Sequence, residues 1–193
     1  MKRVCVFLGS NHGNRPAYRV AAEELAAALT ERGLGLVYGG AKVGLMGVLA
    51  DAVLARGGHV IGVIPGFLGG TERAHRGLPD LRVVGSMHER KATMADLADG
   101  FIALPGGVGT FEEIFEVYTW VQLGLHAKPC ALLNIAGYYD GMAQQLDHAV
   151  AEGFVKEVHR GMLLIDRDPE ALLDRMAAYT PAHVPKWLNE DET

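Results

Sequence analysis

Two adjacent acids, Glu112 and Glu113, stand directly after a turn rich in glycine, Pro105-Gly106-Gly107-Val108-Gly109-Thr110. Three glycines in five residues let a backbone approach a ligand closely, and the first N–H groups of a following helix lack internal partners and favour an anion. Such a turn is a phosphate cradle. A carboxylate held beside a bound sugar phosphate could stabilise positive charge on the sugar or orient a water. A plainer reading stands next to it. Thr110-x-x-Glu113 also fits a capping box, in which the threonine caps the helix and the glutamate returns a bond to the threonine N–H. Upstream, Ser86-Met87-His88-Glu89-Arg90-Lys91-Ala92 supplies two cations. By themselves Arg90 and Lys91 read as a solvated helix face.

The elements that must position these groups follow from hydrophobic periodicity. Residues 101–104 form a short apolar run that reads as a buried strand. Residues 105–109 read as a turn, and Thr110 onward as a helix with Phe111, Ile114, Phe115, Tyr118 and Val121 on one stripe. The rest of the chain alternates in the same way. Strands are expected at 3–8, 34–38, 59–64, 81–84, 128–133 and 162–165. Helices are expected at 17–32, with Val20, Leu25 and Leu29 inward, at 44–55, after Ser86 as cap, at 138–152 and at 169–178. Residues 66–80 read as a loop over a ligand face. This alternation implies an α/β, single-domain, Rossmann-like fold with a parallel sheet and helices on both faces. Ligands of such sheets bind beyond the carboxyl ends of the strands, where Gly9-Ser10, Gly39-Gly40, Pro65-Gly66, Gly85-Ser86 and the 105–110 turn all fall.

Composition narrows the partners. The 193 residues suit one domain, expected over 1–180, followed by a surface tail over 181–193 that could dock through Trp187. With 18 basic against 23 acidic residues and a net charge of −5, no broad footprint for nucleic acid or an anionic membrane is expected. Cys5 and Cys130 lie in apolar runs without CxxC spacing, which predicts buried free thiols and fits a cytoplasmic location. No stretch approaches 18 uninterrupted apolar residues, and the apolar start is too short for a signal peptide.

Several chemistries lack their residues. The first turn, Gly9-Ser10-Asn11-His12-Gly13, has no GxGxxG, and the second strand ends on Tyr38-Gly39 where a dinucleotide fold would place an acid. Gly40-x-x-x-Gly44-x-x-Gly47 is not completed as a P-loop. The eight histidines show no HExxH or HxH, so no metal site is expected, and GxSxG is absent.

Taken together, Ser86 to Ala92 and the Leu104-Pro-Gly-Gly-Val-Gly-Thr-Phe-Glu-Glu113 run resemble the LONELY GUY family of cytokinin-activating phosphoribohydrolases, long labelled lysine decarboxylases. The resemblance covers nearly the whole chain. It implies Arg90 and Glu113 as the catalytic pair, with nucleotide contacts at Lys91, Gly107, Val108, Gly109, Thr110, Phe111, Glu112, Thr119 and Glu72. Gly9, Ser10, Gly39 and Gly40 look like further pocket walls. The match is looser over 67–73, around Glu72. The implied reaction hydrolyses an N6-substituted adenosine 5'-monophosphate to free base and ribose 5-phosphate. No external cofactor is expected, since no pocket for a Schiff-base lysine is marked at Lys42, Lys91 or Lys128. Arg90 could hold the phosphate, the sugar hydroxyls or the leaving base. The family is typically homodimeric, so a homodimer is expected. A rival of another class is a non-catalytic nucleotide or cofactor carrier, because molybdenum cofactor carriers share the glycine turns; having both Arg90 and Glu113 favours the enzyme.

Overall fold

A computed structural model describes residues 1–69 and 74–181. Seven strands form one parallel sheet: β1 (Arg3–Phe7), β2 (Gly35–Tyr38), β3 (Val60–Pro65), β4 (Asp80–Val84), β5 (Gly100–Ala103), β6 (Cys130–Leu133) and β7 (Leu163–Asp166), in spatial order β4-β3-β2-β1-β5-β6-β7. Among the described residues eight α-helices accompany it: α1 (Pro16–Glu31), α2 (Gly44–Ala55), α3 (Gly66–Gly69), α4 (Met87–Leu97), α5 (Val108–Gln122), α6 (Asp140–Ala151), α7 (Glu157–Arg160) and α8 (Pro169–Ala177).

Side chains alternate across the strands, so the sheet buries two apolar layers. Val4, Val6, Leu36, Tyr38 and Ile102 face one layer with the inner residues of α1, α2 and α8. Cys5, Phe7, Val37, Phe101 and Ala103 face the other, with residues of α4, α5 and α6. The doubly covered sheet therefore stands as expected. Both cysteines are free and buried, and burial pushes both thiols up. No described helix is long and apolar enough to cross a membrane.

The strand order reverses at β1, which pairs with β2 on one side and β5 on the other. Register Val6↔Ile102 and Phe7↔Ala103 brings the two chain exits together, and Gly9 N–H donates to the Pro105 carbonyl at 3.1 Å. The first turn and the 105–109 turn thus meet at the switch point, where the strand ends splay and leave a crevice.

Four details differ from the periodicity. Val20 is 48% exposed, because Ala21, Ala22, Leu25, Ala26 and Leu29 already make the inward face and Val20 lies about 140° from Leu25 at 100° per residue. The 66–80 stretch opens with the short helix α3, and α7 adds a turn of helix before β7. Most consequential, α5 begins at Val108, so Thr110 is its third residue and not its cap. Gly107 occupies the cap position in extended geometry, with no side-chain cap bond. Glu72 and Trp187, with the rest of the tail after 181, lie outside the described residues.

Candidate active site

A cavity of about 420 Å³ opens at the switch point, walled by β1's end, the start of α2, α4 and the first turns of α5. The α5 ladder begins with the Phe111 N–H, which donates to the Gly107 carbonyl at 3.1 Å. The N–H groups of Val108, Gly109 and Thr110 precede it, and all three residues line the cavity. A side-chain cap would have occupied one of those donors; glycine leaves them for a ligand. Gly109 and Glu113 lie four residues apart on one helix face, ~6 Å along the axis. That is about the span of a ribose 5-phosphate from phosphorus to the anomeric carbon.

Glu113 is not a capping residue. Its Oε1 accepts from Arg90 Nη1 at 2.5 Å, and the two side chains are only 11% and 10% exposed. Arg90 is anchored a second time, its Nε donating to the Val63 carbonyl at 3.1 Å on β3. A guanidinium fork can make both bonds at once, which a lysine ammonium on a flexible stem could not match in fixed geometry. Gly39 makes room for it: a Cβ there would stand 2.1 Å from Arg90 Nη2 and 2.6 Å from Met46 Cε. Burial drives the Glu113 pKa up, the Arg90 charge and hydrogen bond pull it back, and the net result stays above the ordinary 4.5.

The neighbouring charges take a different course. Lys91 Nζ donates to Glu112 and, at 3.0 Å, to Glu116, forming a second α4–α5 bridge outside the cavity wall. Burial pulls the Lys91 pKa down, but its bonds to Glu112 and Glu116 outweigh it and leave the ammonium above its usual value.

Of the sequence-predicted residues, Ser10, Gly39, Arg90, Gly107, Val108, Gly109, Thr110 and Glu113 line this cavity. Gly9 borders a second, smaller cavity of about 250 Å³ that shares Ser10 and Gly107 with the first. Gly40 turns away with φ +70° and its carbonyl accepts the His75 N–H at 2.9 Å. Lys91, Phe111, Glu112 and Thr119 stand outside both cavities; Thr119 Oγ1 donates to the Phe115 carbonyl at 2.7 Å. Sequence reasoning missed the apolar wall of Met46, Leu68, Met87 and Met94, whose spacing shows only core helices. It also missed the Val63 carbonyl, for which no side-chain signal exists. Among the described residues, no lysine lines the cavity.

Comparison with known proteins bears on this geometry. Residues 46–176 match the family model described as possible lysine decarboxylase. A probable cytokinin riboside 5'-monophosphate phosphoribohydrolase of Oryza sativa subsp. japonica, LOGL9, is 52% identical over 180 residues, covering 93% of this chain and 79% of that protein. The Arabidopsis thaliana cytokinin riboside 5'-monophosphate phosphoribohydrolase LOG2 is 47% identical, covering 94% and 85%. Among solved structures, the molybdenum cofactor carrier protein of Chlamydomonas reinhardtii superposes with a TM-score of 0.70 at 20% identity, covering 92% of this chain and 99% of that one. At that identity the likeness is one of fold alone.

Proposed function

The chain belongs to the LONELY GUY family that the possible lysine decarboxylase model describes, and on that premise we propose that Glu113 and Arg90 carry its reaction. That reaction is hydrolysis of the N-glycosidic bond of cytokinin riboside 5'-monophosphates, N6-substituted adenosine monophosphates, to free base and ribose 5-phosphate. The observation that carries the residue assignment is the buried Arg90–Glu113 pair, set on the same face of α5 as the uncapped N–H groups at its start.

The phosphate sits on the N–H groups of Val108, Gly109 and Thr110, which fixes the ribose along α5 with its anomeric carbon near Glu113. As the bond from that carbon to the base nitrogen breaks, its electron pair leaves with the base and positive charge builds on the ribose. The Glu113 carboxylate stabilises that charge and orients a water, whose oxygen bonds to the anomeric carbon while its proton passes to the carboxylate; the carboxyl then gives that proton up to the departing base nitrogen and is ionised again. Arg90, held by the Val63 carbonyl, keeps the carboxylate in one orientation. The Met46, Leu68, Met87 and Met94 wall suits an apolar N6 substituent. Lys91, Glu112, Phe111, Thr119 and Glu72 are proposed as additional nucleotide contacts on the family pattern, and Gly9 and Gly40 as supports of the pocket wall.

The test is to incubate purified protein with isopentenyladenosine monophosphate, with AMP and with the corresponding nucleosides, adding no metal or pyridoxal phosphate, and to separate products by chromatography. Free base and ribose 5-phosphate are expected from the monophosphates, far faster than any base from the nucleosides. Intact nucleotide after long incubation would favour a carrier. On the family pattern we also propose a cytoplasmic homodimer; light scattering at micromolar concentration should return about twice the chain mass, and a fully active monomer would refute it.

A further inference from the structure

The phosphate-binding turn is held by donors that no motif marks. Three successive carbonyls are each taken by a group from elsewhere: Leu104 accepts from Tyr139 Oη at 2.6 Å, Pro105 from the Gly9 N–H at 3.1 Å, and Gly106 from Tyr138 Oη. The last of these differs in kind. The peptide joining Gly106 to Gly107 has glycine on both sides, so its plane can rotate by about half a turn, raising φ of residue 107 into the left-handed region at little cost. In the structure φ of Gly107 is −98°. No side chain at 106 can choose the orientation, because a Cβ there would lie 2.2 Å from Thr110 Oγ1 and 2.9 Å from the Gly9 nitrogen. Tyr138 Oη is the side-chain group that donates to the Gly106 carbonyl.

The carbonyl and N–H of a trans peptide point in opposite directions, and no peptide in the described chain is cis. Tyr138 borders the smaller cavity and not the main one, whereas Gly107 borders both. A Gly106 carbonyl drawn toward Tyr138 therefore turns the Gly107 N–H toward the main cavity, next to those of Val108, Gly109 and Thr110. The flipped plane would put a carbonyl oxygen there, repelling an anion. The tyrosine is itself fixed by edge-on contacts with Tyr18 at 5.9 Å and Tyr139 at 5.0 Å between ring centroids.

We propose that Tyr138 is a positioning residue that holds the Gly106–Gly107 peptide with its N–H toward the substrate phosphate. The inference rests on the nucleotide-hydrolase reading, in which that end of the cavity takes a phosphate. Calorimetric titration with ribose 5-phosphate and, separately, with adenine tests it without requiring turnover. Tyr138→Phe keeps the ring contacts and loses the hydroxyl; ribose 5-phosphate should bind about tenfold more weakly, while adenine affinity and melting temperature stay near wild type. A second pair of variants tests the orientation itself. Gly107→Ala disfavours positive φ, and its Cβ meets no protein atom within 4 Å. In that background Tyr138→Phe should change ribose 5-phosphate affinity less than about twofold. Unchanged ribose 5-phosphate affinity in Tyr138→Phe, a parallel loss for adenine, or an undiminished effect in the alanine background overturns the positioning role. Wild-type protein that fails to bind ribose 5-phosphate overturns instead the nucleotide reading beneath it.

Discussion

The same four-residue pattern, a hydroxyl followed three positions later by glutamate, occurs at the starts of α4 and α5 and is used in two different ways. At α4, Ser86 is the cap: its Oγ accepts the Glu89 N–H at 3.1 Å, and Glu89 Oε2 reaches back to the Gly85 N–H at 2.7 Å in an exposed setting. At α5, two glycines let the helix begin two residues ahead of Thr110, which is buried, and Glu113 turns to Arg90. A carboxylate that caps a helix is satisfied locally and solvated. One withheld from capping, buried and paired with a guanidinium is available to a ligand, at a cost in desolvation. The contrast separates helix chemistry from site chemistry within one motif.

Replacing Glu113 tests that contrast most severely. Glu113→Gln should lower turnover roughly a hundredfold or more while nucleotide still binds. A pure cap would tolerate glutamine; here the change leaves Arg90 buried without its anion, so a stability loss of about 1–3 kcal/mol is expected in thermal melts. Near-wild-type turnover would return Glu113 to a structural role. The pH response follows from the raised pKa. Activity that needs the ionised carboxylate should fall on the acid side above pH 4.5, earlier than for a free glutamate. Between 4.5 and the folded value the native carboxyl holds more proton than the unfolded one, so its contribution to stability is present at lower pH and lost as pH rises through that window. Melting curves of Glu113→Gln across the same range should lack this slope; an identical slope in both proteins would mean another group is responsible.

Gly39→Ala should be next in size. It drives a Cβ into Arg90 Nη2 and Met46 Cε, so a displaced guanidinium should reduce turnover between about tenfold and a hundredfold with both charged residues still in the sequence. Full activity would show that the Arg90 placement is not critical. Glu112→Gln, on the outer bridge, should raise KM only about threefold with kcat kept, since exposed pairs contribute little. A collapse of kcat there would erase the distinction between inner and outer acids. The smallest effect is expected at the true cap. Ser86→Ala should cost about 1 kcal/mol of stability and leave kcat within about twofold, measured by thermal melts and product release. A larger loss of turnover would tie the α4 cap to the chemistry through Arg90.

Periodicity and turn residues make the sheet, its helices and its ligand edge legible in the sequence, because strand and helix repeats are local properties of the chain. Arg90, Glu113 and the glycine turn were legible through the paired motifs. Val20 was misplaced since one apolar residue on an alanine-rich helix does not define a face; its neighbours do. The capping box at Thr110 was misplaced for a related reason: where a helix starts depends on what its first N–H groups can meet, and here two glycines and a cavity meet them. Lys91 and Glu112 adjoin Arg90 and Glu113 in sequence, yet one helical step of about 100° turns them out of the cavity and toward each other, with the Lys91 side chain largely buried and that of Glu112 half-exposed.

What the chain determined alone was its alternation of strand, glycine turn and helix, and the residue types at each turn. Tertiary structure decided which of two identical patterns became a cap and which a site, which acid met Arg90, and that Tyr138, thirty-two residues beyond, would hold the Gly106 carbonyl. These are choices between partners far apart in sequence. They depend on crossing angles, strand register and the space a missing Cβ leaves, and none of those quantities is carried by a local pattern of residues.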